Sequence, residues 1–193
     1  MGGGSALPYD AEIDYLESTG TQWIDTGIYP DATYTFDSEV WITKSQGETV
    51  LWGVRKSGAY NSDNQQCMLN YPNYSGYYFI GLFSTNTSKK ENWRTDFNPQ
   101  VNVKYSLVGM TVVPTMQTMT FPVHLFGFNN KGSAYPSIGA CRLGEWVAYS
   151  NGIVVADFIP VRVGQVGYMY DKVSRQLFGN SGTGSFILGP DKT

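Results

Sequence analysis

Hydrophobic and polar positions alternate along short runs of this chain, which is the period of a β-strand with one buried face. The clearest run covers residues 33–44, in which one parity holds Tyr34, Phe36, Val40 and Ile42. The other parity holds Thr35, Asp37, Glu39, Trp41 and Thr43. We therefore predict a strand that packs its first set of side chains in the core and carries Trp41 on the opposite face.

Further runs extend this β pattern over most of the chain. An alternating run predicts a strand over 101–107, with Val101, Val103, Tyr105 and Leu107 on its buried side. Other β-rich runs are 49–54, 66–70, 77–83, 121–128, 141–150, 152–161, 166–171 and 185–188. Clusters of Gly, Asn, Pro, Ser and Asp separate them. Since no ten-residue window has helical spacing, we predict one all-β domain over 8–193, built as a sandwich, barrel or jelly roll.

Local turn chemistry refines the prediction at both ends of the chain. Asn151-Gly152 is typical of a hairpin turn, and Pro160 is expected to end the following strand or to place it at a sheet edge. Residues 170–186 are expected to form a hairpin with a glycine-rich exit. The run 179–184 is interpreted as a turn, because it lacks the lysine and the helix of a phosphate loop. Residues 1–7 are interpreted as a leader or an artificial linker.

Composition narrows the classes of partner. The chain has 193 residues, of which 15% are aromatic and 15% charged, with a net charge of −3. The longest basic run is Lys89-Lys90. This is too little for a phosphate-tracking groove, so no nucleic-acid partner is expected. No stretch approaches the ~20 apolar residues of a membrane span, so we expect no membrane insertion.

Aromatic and amide residues gather in polar segments that are predicted to be loops. Segments 55–66 and 84–100 are polar, and 70–78 between them is dense in tyrosine. Rigid rings beside Asn, Asp and Gln suit the recognition of sugars or proteins. The predicted ligand-binding residues are Trp41, Tyr60, Asn61, Asp63, Tyr71, Tyr74, Tyr77 and Trp93. Trp23, Trp52 and Trp146 lie in strand-like runs and are expected in the core.

Few residues offer catalytic or metal chemistry. His124 is the only histidine and is expected to be packed in a strand. Cys67 and Cys141 are expected as half-buried strand residues, and whether they pair is left open. No cofactor is expected, although calcium is left open at two clusters, Asp63 with Asn61 and Asn64, and Asp171 with Asn180.

The segment EIDYLE offers the one carboxylate pattern that resembles a catalytic site. Glu12, Asp14 and Glu17 have the spacing of the acidic set of laminarinase- and lichenase-type β-glucanases, in which they would resemble nucleophile, assisting residue and acid/base. In those enzymes the motif lies mid-chain, whereas here it is followed at once by STGTQWIDTG. We therefore predict the opening strand of a non-catalytic domain and keep the hydrolase as an alternative.

The order of segments resembles a recurrent module. YLESTGTQWIDTGI near the start and the long run from VHLFGF to SFILGPD resemble the laminin-G-like, concanavalin A-like jelly roll of phage tail or structural proteins and gut bacterial surface proteins. The resemblance implies two antiparallel sheets packed face to face, and a role in attachment or glycan recognition. It also implies an extracellular, virion or bacterial-surface location.

From this resemblance and from the loops we predict a non-catalytic recognition or adhesion module that binds a glycan or a cell-surface receptor. The alternatives are a structural module that packs against other subunits of its assembly, and the laminarinase-like hydrolase.

Overall fold

A computed structural model describes residues 6–44, 49–56, 64–71, 79–85, 100–112, 116–136 and 141–193, with the backbone alone over 64–71, 79–85 and at Pro136. These residues form strands and turns, and none of them lies in a helix. The prediction of an all-β chain is therefore confirmed for the part of the chain that the structure describes.

The described residues form sixteen strands. Their bounds are β1 Ala11–Glu12, β2 Leu16–Ser18, β3 Ile24–Asp25, β4 Tyr34–Ile42, β5 Thr49–Arg55, β6 Asn64–Tyr71, β7 Phe79–Thr85, β8 Tyr105–Thr111, β9 His124–Leu125, β10 Gly127–Asn130, β11 Ser133–Pro136, β12 Cys141–Ser150, β13 Ile153–Val163, β14 Val166–Asp171, β15 Gln176–Phe178 and β16 Ile187–Leu188.

The larger sheet has nine strands, all antiparallel, and β12 lies at its centre. On one side β12 pairs with β4, which pairs in turn with β8. On the other side β12 pairs first with β2 and then with β13, and the sheet continues through β14 to β15. Strand β1 pairs with β13, and β16 pairs with β2, so the two ends of the chain meet at this sheet.

The smaller sheet has the strand order β11-β10-β5-β6-β7, to which β9 and β3 are added. Its one departure from an antiparallel pattern is β10, which runs parallel to β5. The two sheets share one core, in which Trp52 of β5 lies 5.9 Å from Trp146 of β12, with Phe36 of β4 against both. The expected two-layer arrangement is therefore present.

Several predicted strands are observed with small shifts of their ends. Strands β12 and β14 have the predicted bounds, and β4 and β5 differ by one or two residues. The predicted turn has both residues at positive φ, 51° at Asn151 and 78° at Gly152, which suits the right-handed twist of the strands that it joins. The hairpin from β14 to β15 is also confirmed.

The predicted strand over 101–107 is wrong in its first half. Val101 and Val103 are exposed, and β8 begins only at Tyr105. In the preceding turn, Asn102 has φ 63° and its N–H donates to Ile42 O. The alternating hydrophobic and polar residues at 101–104 therefore belong to a turn and not to a paired strand.

The run 121–128 is likewise interrupted. Phe126 has φ 62°, a left-handed conformation that a strand cannot continue through. The run therefore forms two short strands, β9 and β10.

Pro160 does not end its strand, which continues to Val163. The Pro160 carbonyl accepts from Ile13 N, and in a strand the nitrogen of a residue faces the same side as its carbonyl. On that side β13 pairs with β12 up to Phe158 and with β1 from Val161, so Pro160 lies between the two pairings. A missing N–H costs little at that interruption, which explains why the proline is tolerated inside the sheet.

Candidate functional site

Most of the predicted binding residues lie outside the described side chains. Tyr60, Asn61, Asp63, Tyr74, Tyr77 and Trp93 fall in segments that the structure does not describe. Tyr71 is the last residue of β6, for which the backbone alone is described. Trp41 is thus the one predicted residue whose surroundings can be examined.

Trp41 lies on the face of the nine-stranded sheet that is turned away from the core, as its parity predicts. This outer face does not leave the ring free, because Trp41 is only 8% exposed. The Tyr15 ring lies 5.6 Å from it, and the Lys104 ammonium lies 5.3 Å from its centroid. Lys104 is held there by Glu39 Oε1 at 2.7 Å. The chain's own side chains therefore occupy the stacking surface that a sugar would need.

The outer face instead carries a groove of about 280 Å³ next to Glu39. The parity that places Trp41 on this face also places Asp37 and Glu39 there. In β12 the register shifts between Leu143 and Trp146, and this bulge places Glu145 on the same side. The polar residues that line the groove are Asp37, Ser38, Glu39, Ser106, Glu145, Tyr149 and Asp157.

Three valines supply the apolar part of the groove. Val147 is buried, whereas Val108 and Val154 are 70% and 41% exposed. Val108 belongs to the edge strand β8, where the next residue, Gly109, has φ 70°. Exposed methyl groups beside carboxylates give the groove an amphipathic lining, which suits a ligand with both polar and aliphatic parts.

Two hydrogen bonds fix Asp37 at the groove. Its Oδ1 accepts from Gly109 N at 2.7 Å and its Oδ2 accepts from the Tyr149 hydroxyl at 2.9 Å. The bond to Asp37 is also the main cause that raises the pKa of Tyr149 above its ordinary value. The phenol therefore stays protonated at neutral pH and serves as a donor that orients the carboxylate.

Lys172 bridges two further carboxylates of the groove, one on β12 and one on β13. Lys172 Nζ lies 3.0 Å from Glu145 Oε1 and 2.8 Å from Asp157 Oδ2. Burial raises the pKa of Asp157, and it outweighs the opposite effect of Lys172, while neighbouring Glu145 adds to the rise. Burial alone would lower the pKa of Lys172, but its bonds to Asp157 and Glu145 raise it. The lysine thus remains a fixed cation at the end of the groove.

The EIDYLE carboxylates are used differently. The expected continuous strand is wrong, since β1 and β2 are separated by a bend at Asp14, with Ile13 and Leu16 buried in the core. Glu12 accepts from the Tyr9 hydroxyl at 3.2 Å. Glu17 accepts from Arg142 Nε at 2.6 Å, and the guanidinium also covers the Tyr15 ring. Both glutamates thus hold neighbouring side chains in place.

His124 is packed, as predicted, and Trp23 covers it. The two rings stack with centroids 4.3 Å apart. Trp23 is only partly buried, so the expectation of a core position is wrong for it, whereas Trp52 and Trp146 are fully buried in the core. Asn129 Oδ1 accepts from Gly132 N at 2.8 Å, which directs Asn129 Nδ2 toward His124 Nε2 at 3.1 Å. Nε2 is therefore the acceptor and the proton lies on Nδ1. Burial lowers the pKa of His124, against a smaller raising effect of Asp25.

The two residues of the second calcium cluster, Asp171 and Asn180, each accept backbone N–H bonds, and calcium there stays a prediction. Asp171 is buried and accepts backbone N–H bonds from Asp157, Val173 and Ser174. Asn180 Oδ1 accepts from Trp23 N and Gly182 N, so it shapes the glycine-rich loop. Among the described residues no three His, Cys, Asp or Glu side chains form a group that could hold a metal ion.

The structure does not describe the side chains of the first calcium cluster or of Cys67. Asn61 and Asp63 are outside the described residues, and at Asn64 and Cys67 the backbone alone is described. Cys141 is fully buried in the core, deeper than the half-buried position expected for it. The pairing of the two cysteines therefore stays open, and the first calcium cluster stays a prediction.

Sequence reasoning identified part of the groove and missed the rest. Alternation placed Asp37 and Glu39 on the outer face, but Glu145, Tyr149 and Asp157 were treated only as parts of β-rich runs. Strict alternation along the β12 run places Glu145 on the same face as Leu143, which is the core face. The bulge turns Glu145 outward instead, and its only local signal in the sequence is Gly144.

Comparisons of the chain with protein-family models, with curated proteins and with solved structures found no significant match. Within the described segments, no helix has the length and apolar character needed to cross a membrane. The function is therefore argued from the site itself.

Proposed function

We propose that this chain is a non-catalytic recognition module, with a jelly-roll architecture of the laminin-G-like class, that binds a glycan or a cell-surface receptor. The observation that carries the proposal is the groove on the outer face of the nine-stranded sheet. It combines fixed hydrogen-bonding groups with exposed methyl groups on a scaffold that is rigid, because three adjacent strands, β4, β12 and β13, supply most of its lining.

The groove suits recognition because its polar groups are already oriented. Asp37 is held by Gly109 and Tyr149, and Glu145 and Asp157 are held by Lys172. Binding of a ligand then orders few additional side chains of the protein, so little conformational entropy is lost. The exposed Val108 supplies apolar contact area. The aromatic loops predicted from the sequence stay a second candidate surface. Weak single sites would gain avidity from several copies in a phage tail or a bacterial surface assembly.

One feature favours the structural alternative. Val108, Ile153 and Val154 are all exposed, and two of them line the groove. Such side chains also suit a contact with another subunit of the parent assembly. Light scattering over a range of concentrations distinguishes the two, because a subunit contact between copies would produce concentration-dependent assembly and a site for a foreign ligand would not.

The hydrolase alternative receives no support from the geometry of EIDYLE. Glu12 and Glu17 are bonded to Tyr9 and Arg142, and Asp14 lies in the bend between two short strands. Release of reducing sugar from laminarin or lichenan, lost in Glu12→Gln, would be needed to restore it.

The proposal is tested by binding to a glycan array and to intact bacterial cells. We expect Val108→Lys to lose most of the binding, because its long side chain would lie over the groove and its ammonium group would pair with Asp37. Val166→Lys is the matched control, since Val166 is 55% exposed on β14 of the same sheet and does not line the groove. Tyr74→Ala and Trp93→Ala test the predicted loop patch. Failure of the unmodified protein to bind either surface at high concentration would refute the proposal.

A further inference from the structure

The charges around the groove are unbalanced. Four carboxylates line it, those of Asp37, Glu39, Glu145 and Asp157. Two lysines pair with three of them, Lys104 with Glu39, and Lys172 with Glu145 and Asp157. Four carboxylates against two ammonium groups leave an excess of two negative charges. Within the described residues Asp37 forms no ion pair, so the excess is centred on a carboxylate inside the groove.

Asp37 is prepared to accept a further hydrogen bond. Each of its oxygens already accepts one neutral donor, Gly109 N or the Tyr149 hydroxyl. A carboxylate oxygen has two lone pairs, so both oxygens keep accepting capacity in a fixed orientation. An incoming cation would therefore meet an acceptor that needs no reorganisation.

The same face already binds basic side chains of its own chain. Lys172 lies between two carboxylates at 2.8 and 3.0 Å. Lys104 pairs with Glu39 while its ammonium lies over the Trp41 ring. In both cases the ammonium group lies against carboxylate oxygens, and that of Lys104 also lies over an aromatic ring. The chain thus shows the mode of binding that the free part of the groove would offer.

The valines decide which kind of cation fits. Val108 and Val154 stand exposed beside Asp37, so the groove offers methyl groups as well as charge. A bare metal ion gains nothing from methyl groups, and the described residues hold no group of metal ligands. A lysine or arginine side chain uses both parts, with its methylenes against the valines and its head group at Asp37.

We propose that the groove receives a lysine or arginine side chain presented by a protein partner, with Asp37 as its counter-ion and Val108 and Val154 against its stem. This inference rests on the proposed function and selects the protein receptor rather than a neutral glycan as the occupant. The groove therefore also selects against anionic ligands, because sulfate or carboxylate groups would meet the excess negative charge.

The test uses two short peptides that differ in one charge. Acetyl-Gly-Ser-Arg-Ser-Gly-amide is titrated into the ¹⁵N-labelled full chain at low salt, and its citrulline counterpart, a neutral molecule of nearly the same shape, is titrated in parallel. We expect the arginine peptide to shift the amide signals of Gly109 and Tyr149 in a saturable way that weakens with added salt. The citrulline peptide should bind more weakly by up to about fivefold, which corresponds to the upper end of the range for an exposed ion pair.

Variants locate the site. Asp37→Asn keeps an oxygen to accept from Gly109 N or Tyr149 but removes the charge, so the preference for arginine over citrulline should disappear. Asp14→Asn, which removes an exposed carboxylate outside the groove, should keep it. Val108→Lys, at a site that is 70% exposed, should fold and block the groove with its own cation.

Each outcome has a meaning. Equal binding of the arginine and citrulline peptides, or an unchanged preference in Asp37→Asn, would overturn the inference. Binding of neutral oligosaccharides at the same amides without binding of the arginine peptide would also overturn it and would leave the proposed recognition function standing. Failure of the proposed function is seen separately, as absence of binding to both the glycan array and the cells.

Discussion

The glycine-rich loop 179–184 should be a structural clamp whose tightness depends on Gly182. A Cβ added there would lie 2.0 Å from Thr21 O and 2.9 Å from the Trp23 ring. Because the first of these atoms is backbone, the loop or the Thr21–Trp23 segment must move. The movement would break the bonds that join them, from Ser181 N to Trp23 O and from Thr183 N to Thr21 O.

These losses set the expected size of the effect. Overpacking of this kind costs about 1–3 kcal/mol, and each of the two lost hydrogen bonds costs about 1 kcal/mol. We expect Gly182→Ala to lower the free energy of unfolding by about 3–5 kcal/mol, which corresponds to a fall in Tm of roughly 6–20 °C for a chain of this length. Thermal and urea unfolding followed by circular dichroism would measure it.

Gly179→Ala is the matched control. A Cβ at Gly179 would lie 3.2 Å from the Tyr168 ring, a side chain that gives by a few tenths of an ångström, and neither glycine has a positive φ. We expect a loss of less than about 1 kcal/mol for this variant. If Gly182→Ala were as stable as Gly179→Ala, the loop would not clamp the two ends of the chain, and the reasoning would be refuted.

Three further predictions concern stability. His124 has a lowered pKa, so the unfolded chain binds the proton more tightly, and stability should fall as pH drops below about 6.5 toward the folded-state pKa. In His124→Gln the fall of the urea midpoint below about pH 6.5 should disappear, and an unchanged dependence of the midpoint on pH would contradict the lowered pKa of His124. Lys172→Met should lower the free energy of unfolding by about 1 kcal/mol at pH 7, and by less in acid, where Asp157, whose pKa burial raises, becomes protonated; a loss independent of pH would contradict this. Gly152→Ala should cost about 1–2 kcal/mol in thermal unfolding, because its φ of 78° strains any Cβ.

Alternation predicted the elements that are regular over many residues. Strand β4 has the predicted inward set of Phe36 and Val40 and the predicted outward set of Asp37 and Trp41. It failed where a single residue leaves the strand conformation. Phe126 and Asn102 have positive φ although neither is glycine, and no local pattern marks them. Tertiary contacts stabilise such residues, so a sequence pattern of period two does not detect them.

The candidate site was predictable only in part, for the same reason. The outward position of Asp37 follows from parity, but the groove also needs the β12 bulge and the pairing of β12 with β4 and β13 across long stretches of sequence. Parity likewise placed Trp41 outward but could not show that Tyr15 and Lys104 cover it. Which side chains cover one another depends on strand order, which composition and alternation do not give.

The most direct test compares Val108→Lys with Val166→Lys in binding to the glycan array and to intact cells. Both variants add one positive charge at an exposed valine of the same sheet, and only Val108 lines the groove. We predict that Val166→Lys binds like the unmodified protein and that Val108→Lys loses most of its binding at unchanged stability. Equal binding by the two variants would show that the groove is not the recognition site.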